Sequence, residues 1–215
     1  MHFNEYWKVL WEIKRDCPVE QYYDKILRPL FEEAAGSMEN VKVVPSFDTR
    51  IRSTPKKVPY QVIIGNNANL VWPDYIFVPL TYTHESPVRP YAAVESKFPN
   101  IEKRGDGPGW IYCPLETLTR NNKIHTEIAS EISRYPVIFT DGITWLFLSS
   151  QEDLAKIESL DCQENICLIN KTQKYKSNAR DRKYYAEPFP DTEEPFNRLK
   201  ERICSFLKES IEKYK

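Results

Sequence analysis

Two apolar stretches decide the fold of this chain: residues 70–78 read LVWPDYIFV, and residues 91–98 read YAAVESKF. Both are typical of buried β-strands, in which charged residues are rare. Each stretch nevertheless carries charge, with Asp74 in the first and Glu95 and Lys97 in the second. Side chains alternate along a strand, so Glu95 and Lys97 share one face. If the two strands are neighbours, the three charged side chains converge.

This combination of two acids and one amine is suited to binding a metal ion beside a phosphate group. Hard divalent cations such as Mg²⁺ and Mn²⁺ prefer carboxylate oxygens, so Asp74 and Glu95 are the expected metal ligands. Lys97 would orient or help deprotonate a water molecule, or stabilise the charge that develops on the phosphate. Such a site hydrolyses phosphodiester bonds. The plainer alternative is a same-face pair of Glu95 and Lys97 on a solvated edge strand, with Asp74 capping a turn.

The spacing of these residues resembles a known motif. A Pro-Asp dipeptide ending at Asp74, about twenty intervening residues and then Glu95-x-Lys97 are similar to the motif of the PD-(D/E)xK nuclease superfamily, to which many restriction endonucleases belong. Residues 133–147 (SRYPVIFTDGITWLF) resemble the segment after the catalytic core in N-terminal nuclease domains of type I restriction motor subunits and their stand-alone relatives. The resemblance covers roughly residues 19–148.

The resemblance implies an α/β fold, a restriction-endonuclease-like sandwich in which helices flank a mixed central β-sheet. It implies Mg²⁺ or Mn²⁺ as the cofactor, and it adds the backbone carbonyl of Ser96 to the metal ligands. The family often places one more catalytic glutamate on the first core helix. Glu20 is the best match for that residue, and Glu32 and Glu33 are the alternatives.

The expected function is that of a metal-dependent nuclease acting on DNA, in restriction or in defence against phage. The sequence has no Gly-x-x-x-x-Gly-Lys-Ser/Thr phosphate loop, so a motor activity is not expected. The alternative is a catalytically inactive module on the same fold, which binds nucleic acid or another protein. A nuclease acting on RNA is a third interpretation. The expected partner is DNA, with RNA as the alternative, no membrane, and a homodimer or larger defence complex as candidate assemblies.

Charge is balanced over the whole chain, with 30 Lys and Arg residues against 31 Asp and Glu residues in a length of 215. Net charge therefore does not indicate nucleic-acid binding, and any basic surface has to be local. Residues 50–57 and 171–183 are basic segments that can contact phosphates. The length fits one domain. We expect a nuclease core at residues 1–150, extended in the same domain by a basic loop and C-terminal helix at residues 151–215.

Cysteine usage and hydropathy predict a cytoplasmic protein. The five cysteines are odd in number and show no Cys-x-x-Cys spacing, which is typical of reduced thiols rather than of disulfides or a zinc site. The first residues lack the basic and apolar pattern of a signal peptide. No apolar stretch approaches the roughly 20 residues that cross a bilayer.

Hydrophobic periodicity predicts an alternation of helices and strands. The predicted helices span residues 5–15, 19–35, 115–135 and 195–214, and the predicted strands span residues 41–44, 60–64, 70–78, 91–98, 137–140 and 143–147. Pro29 is expected to kink the second helix or to split off its last turn. The glycine-rich residues 105–109 are expected to lead into the third helix. The dipeptide Asp141-Gly142 predicts a β-hairpin.

Overall fold

The computed structural model describes residues 1–16, 23–45, 62–63, 70–71, 73–83, 89–105, 107–115, 128–129, 131–132, 135–159, 165–175 and 183–213. These residues form an α/β structure with a mixed multi-strand sheet and helices. The helices are α1 (Phe3–Asp16), α2 (Tyr23–Gly36), α3 (Gln151–Ser159) and α4 (Glu193–Glu212). The strands are β1 (Val41–Pro45), β2 (Val62–Ile63), β3 (Leu70–Val71), β4 (Tyr75–Pro79), β5 (Ala92–Ser96), β6 (Asn100–Lys103), β7 (Trp110–Cys113), β8 (Val137–Thr140), β9 (Thr144–Leu148), β10 (Ile166–Cys167), β11 (Lys174–Tyr175) and β12 (Lys183–Tyr185).

The central sheet has six strands in the order β1-β4-β5-β8-β9-β10. Its strands pair antiparallel except for β5 and β8, which run parallel. A parallel pair needs a crossover connection, and the helical residues 128–129 and 131–132 lie on the chain between those two strands. The condition that the two strands are neighbours is met, since Tyr75 of β4 pairs with Val94 of β5 and Phe77 with Ala92. The predicted hairpin at Asp141-Gly142 joins β8 to β9.

Each face of the central sheet is covered by helices, which explains why its inner strands are mostly apolar. On β4, Tyr75 and Phe77 pack in one core cluster with residues of α1, α2 and α4. Their neighbours Ile76 and Val78 pack in a second cluster on the other face, with the helical residues near Ile132 and with α3. Alternation along the strands therefore divides the core into two layers with the sheet between them.

The predicted strand at residues 70–78 is wrong as a single element. It is divided into β3, which pairs with β2, and β4, which pairs with β1 and β5 in the central sheet. Pro73 lies in the interval. Proline lacks a backbone N–H and cannot donate to a ladder, so it is suited to a break between strands. Asp74 consequently lies just before β4 rather than in the middle of a strand.

A second sheet of four antiparallel strands, in the order β11-β12-β7-β6, was not predicted. Strands β6 and β7 pair on either side of the glycine-rich residues, so a strand that was not predicted, β7, lies between those residues and the predicted helix start at residue 115. Gly109 has a φ of 113°, a conformation that side chains disfavour, and its carbonyl accepts a hydrogen bond of 3.1 Å from the Arg104 N–H. These strands are short, which weakens their periodicity in the sequence.

The helix predictions are confirmed where the chain is described. Helices α1 and α4 match the predicted segments closely, and α2 ends at Gly36 as predicted. Pro29 lies inside α2, which is not divided there. Most of the predicted helix at residues 115–135 falls outside the described residues. Within the described ranges, no helix has the length and apolar character needed to cross a membrane.

The segment after residue 150 contributes to the central sheet, to the four-stranded sheet and to the core. Strand β10 extends the central sheet and β12 pairs with β7 in the second sheet. The predicted apolar stripe of α4 is buried in the same cluster as α1 and α2. Full burial of one such side chain stabilises the fold by about 1.5–3 kcal/mol. Strands β10 to β12 and helix α3 had no strong periodicity in the sequence and were not predicted.

Candidate active site

Asp74 is held against the end of β5 by three hydrogen bonds. Its backbone N–H donates to the carbonyl of Val94 at 2.8 Å. Its Oδ2 accepts from the backbone N–H of Ser96 at 2.7 Å and also from the Ser96 hydroxyl group. Since Tyr75 already pairs with Val94, two residues of one strand oppose one of the other, as in a β-bulge. A bulge turns a side chain aside, and here the carboxylate of Asp74 turns towards Ser96.

Glu95 and Lys97 form an ion pair between Glu95 Oε1 and Lys97 Nζ. This contact agrees with the predicted shared face. The Glu95 side chain is only 8% exposed and that of Lys97 is 24% exposed. A carboxylate so deeply buried needs a nearby cation, because desolvation of a lone charge costs several kcal/mol. Lys97 supplies that cation, so the alternative of a solvated edge pair is wrong: β5 lies between β4 and β8 in the interior of the sheet.

The predicted residues therefore form two separate contacts at the same end of β5, Asp74 with Ser96 and Glu95 with Lys97. Alternation along the strand places the Ser96 side chain on the face opposite Glu95 and Lys97. Among the residues that the structure describes, no group of three or more His, Cys, Asp or Glu side chains is placed to share a metal ion. The expected ligand set contains two carboxylates and one backbone carbonyl, so it does not require such a group. Convergence of both carboxylates on one ion stays a prediction.

The glutamate expected on the first core helix cannot be assigned. Glu20 lies outside the described residues. Of the alternatives, Glu32 accepts a hydrogen bond of 2.8 Å from Arg28 on the same helix. Glu33 lies 3.6 Å from Lys200 and 3.3 Å from the amino terminus. Both side chains are about half exposed. Their ion pairs are those of a solvated helix surface, where such contacts contribute little.

A buried hydrogen-bond network centred on Asp141 adjoins the backbone of Lys97. The Lys97 N–H donates to the carbonyl of Thr140 at 2.8 Å, which joins the end of β5 to the β8–β9 hairpin. Asp141, fully buried, accepts from the N–H groups of Ile143 at 3.0 Å and Thr144 at 2.8 Å. It also accepts from the Tyr112 hydroxyl of β7 at 2.7 Å. Asp141 is a turn residue, as predicted, but it also connects the two sheets.

One buried acid was missed by sequence analysis. Glu131 is fully buried, and its helical neighbours Ile128 and Ile132 pack in the same core cluster as Ala93. Glu95 follows Ala93 by two residues and so belongs to the same face of β5. The sequence signal for burial of Glu131 was its spacing of three residues from Ile128 and four from Tyr135, because residues three and four apart share a helix face.

Comparison with protein-family models, with curated proteins and with solved structures finds no match to this chain. Conclusions about function therefore depend on the residues of the chain and their geometry. The site contains two acids in different environments: Asp74 accepts hydrogen bonds from Ser96, and Glu95 forms an ion pair with Lys97. Both lie where the ladder between β4 and β5 ends. Of the basic segments, residues 50–57 lie outside the described part of the chain, whereas 171–175 and 183 lie within it.

Proposed function

We propose that this protein is a metal-dependent nuclease of the PD-(D/E)xK type, with DNA as the expected substrate. The observation that carries the proposal is the burial of the Glu95–Lys97 ion pair at the same end of β5 as the Asp74–Ser96 contact. Apolar side chains packed at the same positions are often as stabilising as a buried ion pair or more so, and the presence of the pair in an interior strand therefore favours a chemical role. The mixed sheet with helices on both faces is compatible with the finer proposal, a restriction-endonuclease-like sandwich.

The donor set suits a hard divalent cation. The carboxylates of Asp74 and Glu95 and the carbonyl oxygen of Ser96 would hold Mg²⁺ or Mn²⁺, which prefer oxygen ligands. When bound, such an ion lowers the pKa of a coordinated water and stabilises negative charge on the phosphate. The residues around it fix the position of those ligands: Ser96 holds the Asp74 carboxylate through its N–H and hydroxyl groups.

Lys97 has two roles in the proposed reaction. Without substrate it compensates the charge of Glu95. With substrate present its ammonium group, about a quarter exposed, can also donate a hydrogen bond to the attacking water or to a phosphate oxygen. An amine that faces a carboxylate on one side and solvent on the other can serve both roles through its three donors.

The second candidate is an inactive nucleic-acid-binding or protein-interaction module on the same fold. It is favoured by the fact that Asp74 and Glu95 each contact a protein donor, Ser96 and Lys97 respectively. Protein groups alone then satisfy part of the site. Isothermal titration with Mg²⁺ and Mn²⁺ separates the candidates, because a degenerate site would show no binding that depends on Asp74 and Glu95.

A cleavage assay tests the leading proposal. The purified protein is incubated with duplex DNA, single-stranded DNA and RNA, each with Mg²⁺, Mn²⁺ or EDTA. We expect metal-dependent cleavage that is lost in Asp74→Asn, Glu95→Gln and Lys97→Met. Glu12→Gln and Lys8→Met are matched controls, since this exposed pair on α1 has the same residue types. Cleavage that persists in the Asp74 and Lys97 variants would remove the site assignment.

A further inference from the structure

The second sheet carries a cluster of rings and charge on the face turned away from the core. Tyr112 of β7 and Tyr184 of β12 pair with each other and pack in the core. Alternation therefore turns Lys183 and Tyr185 to the opposite face. Tyr175 pairs with Lys183 and joins them there. With Arg104, which follows β6, these residues form what we call the tyrosine–arginine face.

The side chains of Arg104, Tyr175 and Tyr185 on this face contact one another. The Arg104 guanidinium carbon lies 5.8 Å from the ring centroid of Tyr175 and 5.5 Å from that of Tyr185. The two tyrosine rings meet edge to face, with centroids 5.7 Å apart. Cation–π and edge-to-face contacts of this kind fix the rings in place. A planar ligand that binds here meets ordered rings, so little rotamer entropy is lost on binding.

Charge is concentrated in the same part of the chain. Residues 100–105, 107–113, 171–175 and 183–186 contain five basic residues, Lys103, Arg104, Lys171, Lys174 and Lys183, and one acid, Glu102. Over the whole chain the two signs are balanced at 30 and 31. Glu102 is paired with Lys183. The local excess of positive charge complements a polyanion.

We propose that the tyrosine–arginine face binds an unpaired stretch of nucleic acid, with bases stacked on the tyrosine rings and phosphates beside Arg104 and Lys183. Stacking requires bases whose faces are open, which a duplex does not offer, so the face discriminates in favour of single strands. The inference rests on the proposed nuclease function and specifies its substrate class. The tyrosine–arginine face and the candidate active site are close enough to contact one strand of nucleic acid. Strand β6 begins three residues after Lys97, and the seven residues from Lys97 to Arg104 span at most about 25 Å.

Binding is measured by fluorescence anisotropy with labelled dT20, rU20 and a 20-base-pair duplex, using the full chain in EDTA so that no cleavage occurs. We expect single strands to bind more tightly than the duplex, and the dT20 and rU20 arms report whether the sugar matters. Tyr175→Ala/Tyr185→Ala should weaken single-strand binding by at least about fivefold, since stacking of one base contributes about 1–3 kcal/mol.

Four further variants, one of them a control, separate stacking and charge from a general loss of structure. Tyr185→Phe keeps the ring and should bind as the wild type does. Glu102→Gln removes the acid that is paired with Lys183 and should bind more tightly, an effect that an unfolded protein cannot show. Arg198→Ala is the control for Arg104→Ala, because Arg198 is 63% exposed on α4. Only the Arg104 variant should lose affinity.

The results distinguish this inference from the nuclease proposal. Asp74→Asn should retain single-strand binding in EDTA through the tyrosines, while cleavage is lost. If single strands bind through the tyrosines but no metal supports cleavage, the inference stands and the nuclease proposal fails. If the duplex binds as tightly as the single strands, or if the double alanine variant and the wild type have equal affinity, the inference is overturned, whatever the cleavage assay shows.

Discussion

The Tyr112 hydroxyl group donates a hydrogen bond of 2.7 Å to Oδ2 of Asp141, 29 residues further along the chain, and both residues are fully buried. Tyr112 belongs to the second sheet and Asp141 to the hairpin of the central sheet. The same hydroxyl lies 2.8 Å from Oγ1 of Thr144. Because the neighbouring Thr140 carbonyl accepts from the Lys97 N–H, this contact fixes the second sheet relative to the candidate active site.

Tyr112→Phe should reduce the free energy of unfolding by about 1–3 kcal/mol, because a buried carboxylate loses one donor while the ring packing is kept. Urea denaturation followed by circular dichroism measures the change. Tyr184→Phe, in the adjoining strand, removes a hydroxyl group from the same buried layer and should cost less. Equal losses in both variants would show that the Asp141 contact has no special weight.

Lys97→Met should destabilise the protein by about 2 kcal/mol, since it leaves the Glu95 carboxylate buried without its cation. Glu95→Gln/Lys97→Met should be more stable than Lys97→Met alone, because the uncompensated charge is gone. A double-mutant cycle of unfolding free energies gives the coupling. Lys8→Met is the matched control, and its exposed pair with Glu12 should contribute little. Additive effects at positions 95 and 97 would contradict the assigned ion pair.

Ser96→Ala should lower the cleavage rate by about tenfold, because one hydrogen bond that orients the Asp74 carboxylate is lost and the backbone N–H bond remains. Asp74→Asn should be more severe, since it removes a ligand charge. Single-turnover cleavage with saturating Mn²⁺ compares the two, and Ser205→Ala on α4 is the control. A Ser96 variant with the wild-type rate would mean that the hydroxyl does not position Asp74.

Alkaline stability should report on Tyr82. Burial raises the pKa of this phenol from its ordinary value of 10.0. The folded state therefore holds the proton more tightly than the unfolded state. The stabilisation is fully present below that ordinary value and is lost as the pH rises through the raised pKa. Tyr82→Phe cannot ionise, so it should lose less stability between about pH 9 and about pH 11 than the wild type. Thermal unfolding across that range measures the difference, with Tyr91→Phe as the control.

Long periodic segments of this chain could be predicted from sequence because one local pattern determines them. The alternation in residues 91–98 predicted both the strand and the shared face of Glu95 and Lys97. The Asp141-Gly142 dipeptide predicted the β8–β9 hairpin, and Gly142 has the positive φ of 82° that such a turn requires. In each case the signal lies within a few adjacent residues.

Features that depend on distant contacts could not be predicted. Strands β3 and β4, on either side of Pro73, belong to different sheets. Their pairing with β2 and β5 determines this, and the run of apolar residues does not show it. The bulge that turns Asp74 towards Ser96 exists only when β4 and β5 are paired. The Tyr112–Asp141 contact likewise joins two sheets, and the residues next to Tyr112 or to Asp141 in the sequence do not indicate it.

The ring of Phe196 in α4 lies 5.8 Å from that of Phe3 and 5.0 Å from that of Tyr6, both in α1. These partners are separated by about 190 residues of chain. On the ribosome, α1 therefore emerges long before α4, and its aromatic side chains stay uncovered until Leu207, the last fully buried residue of α4 in the core cluster, has been synthesised. A nascent chain interrupted before that point lacks this cover, so the core layer between α1 and α4 cannot form until α4 has been made.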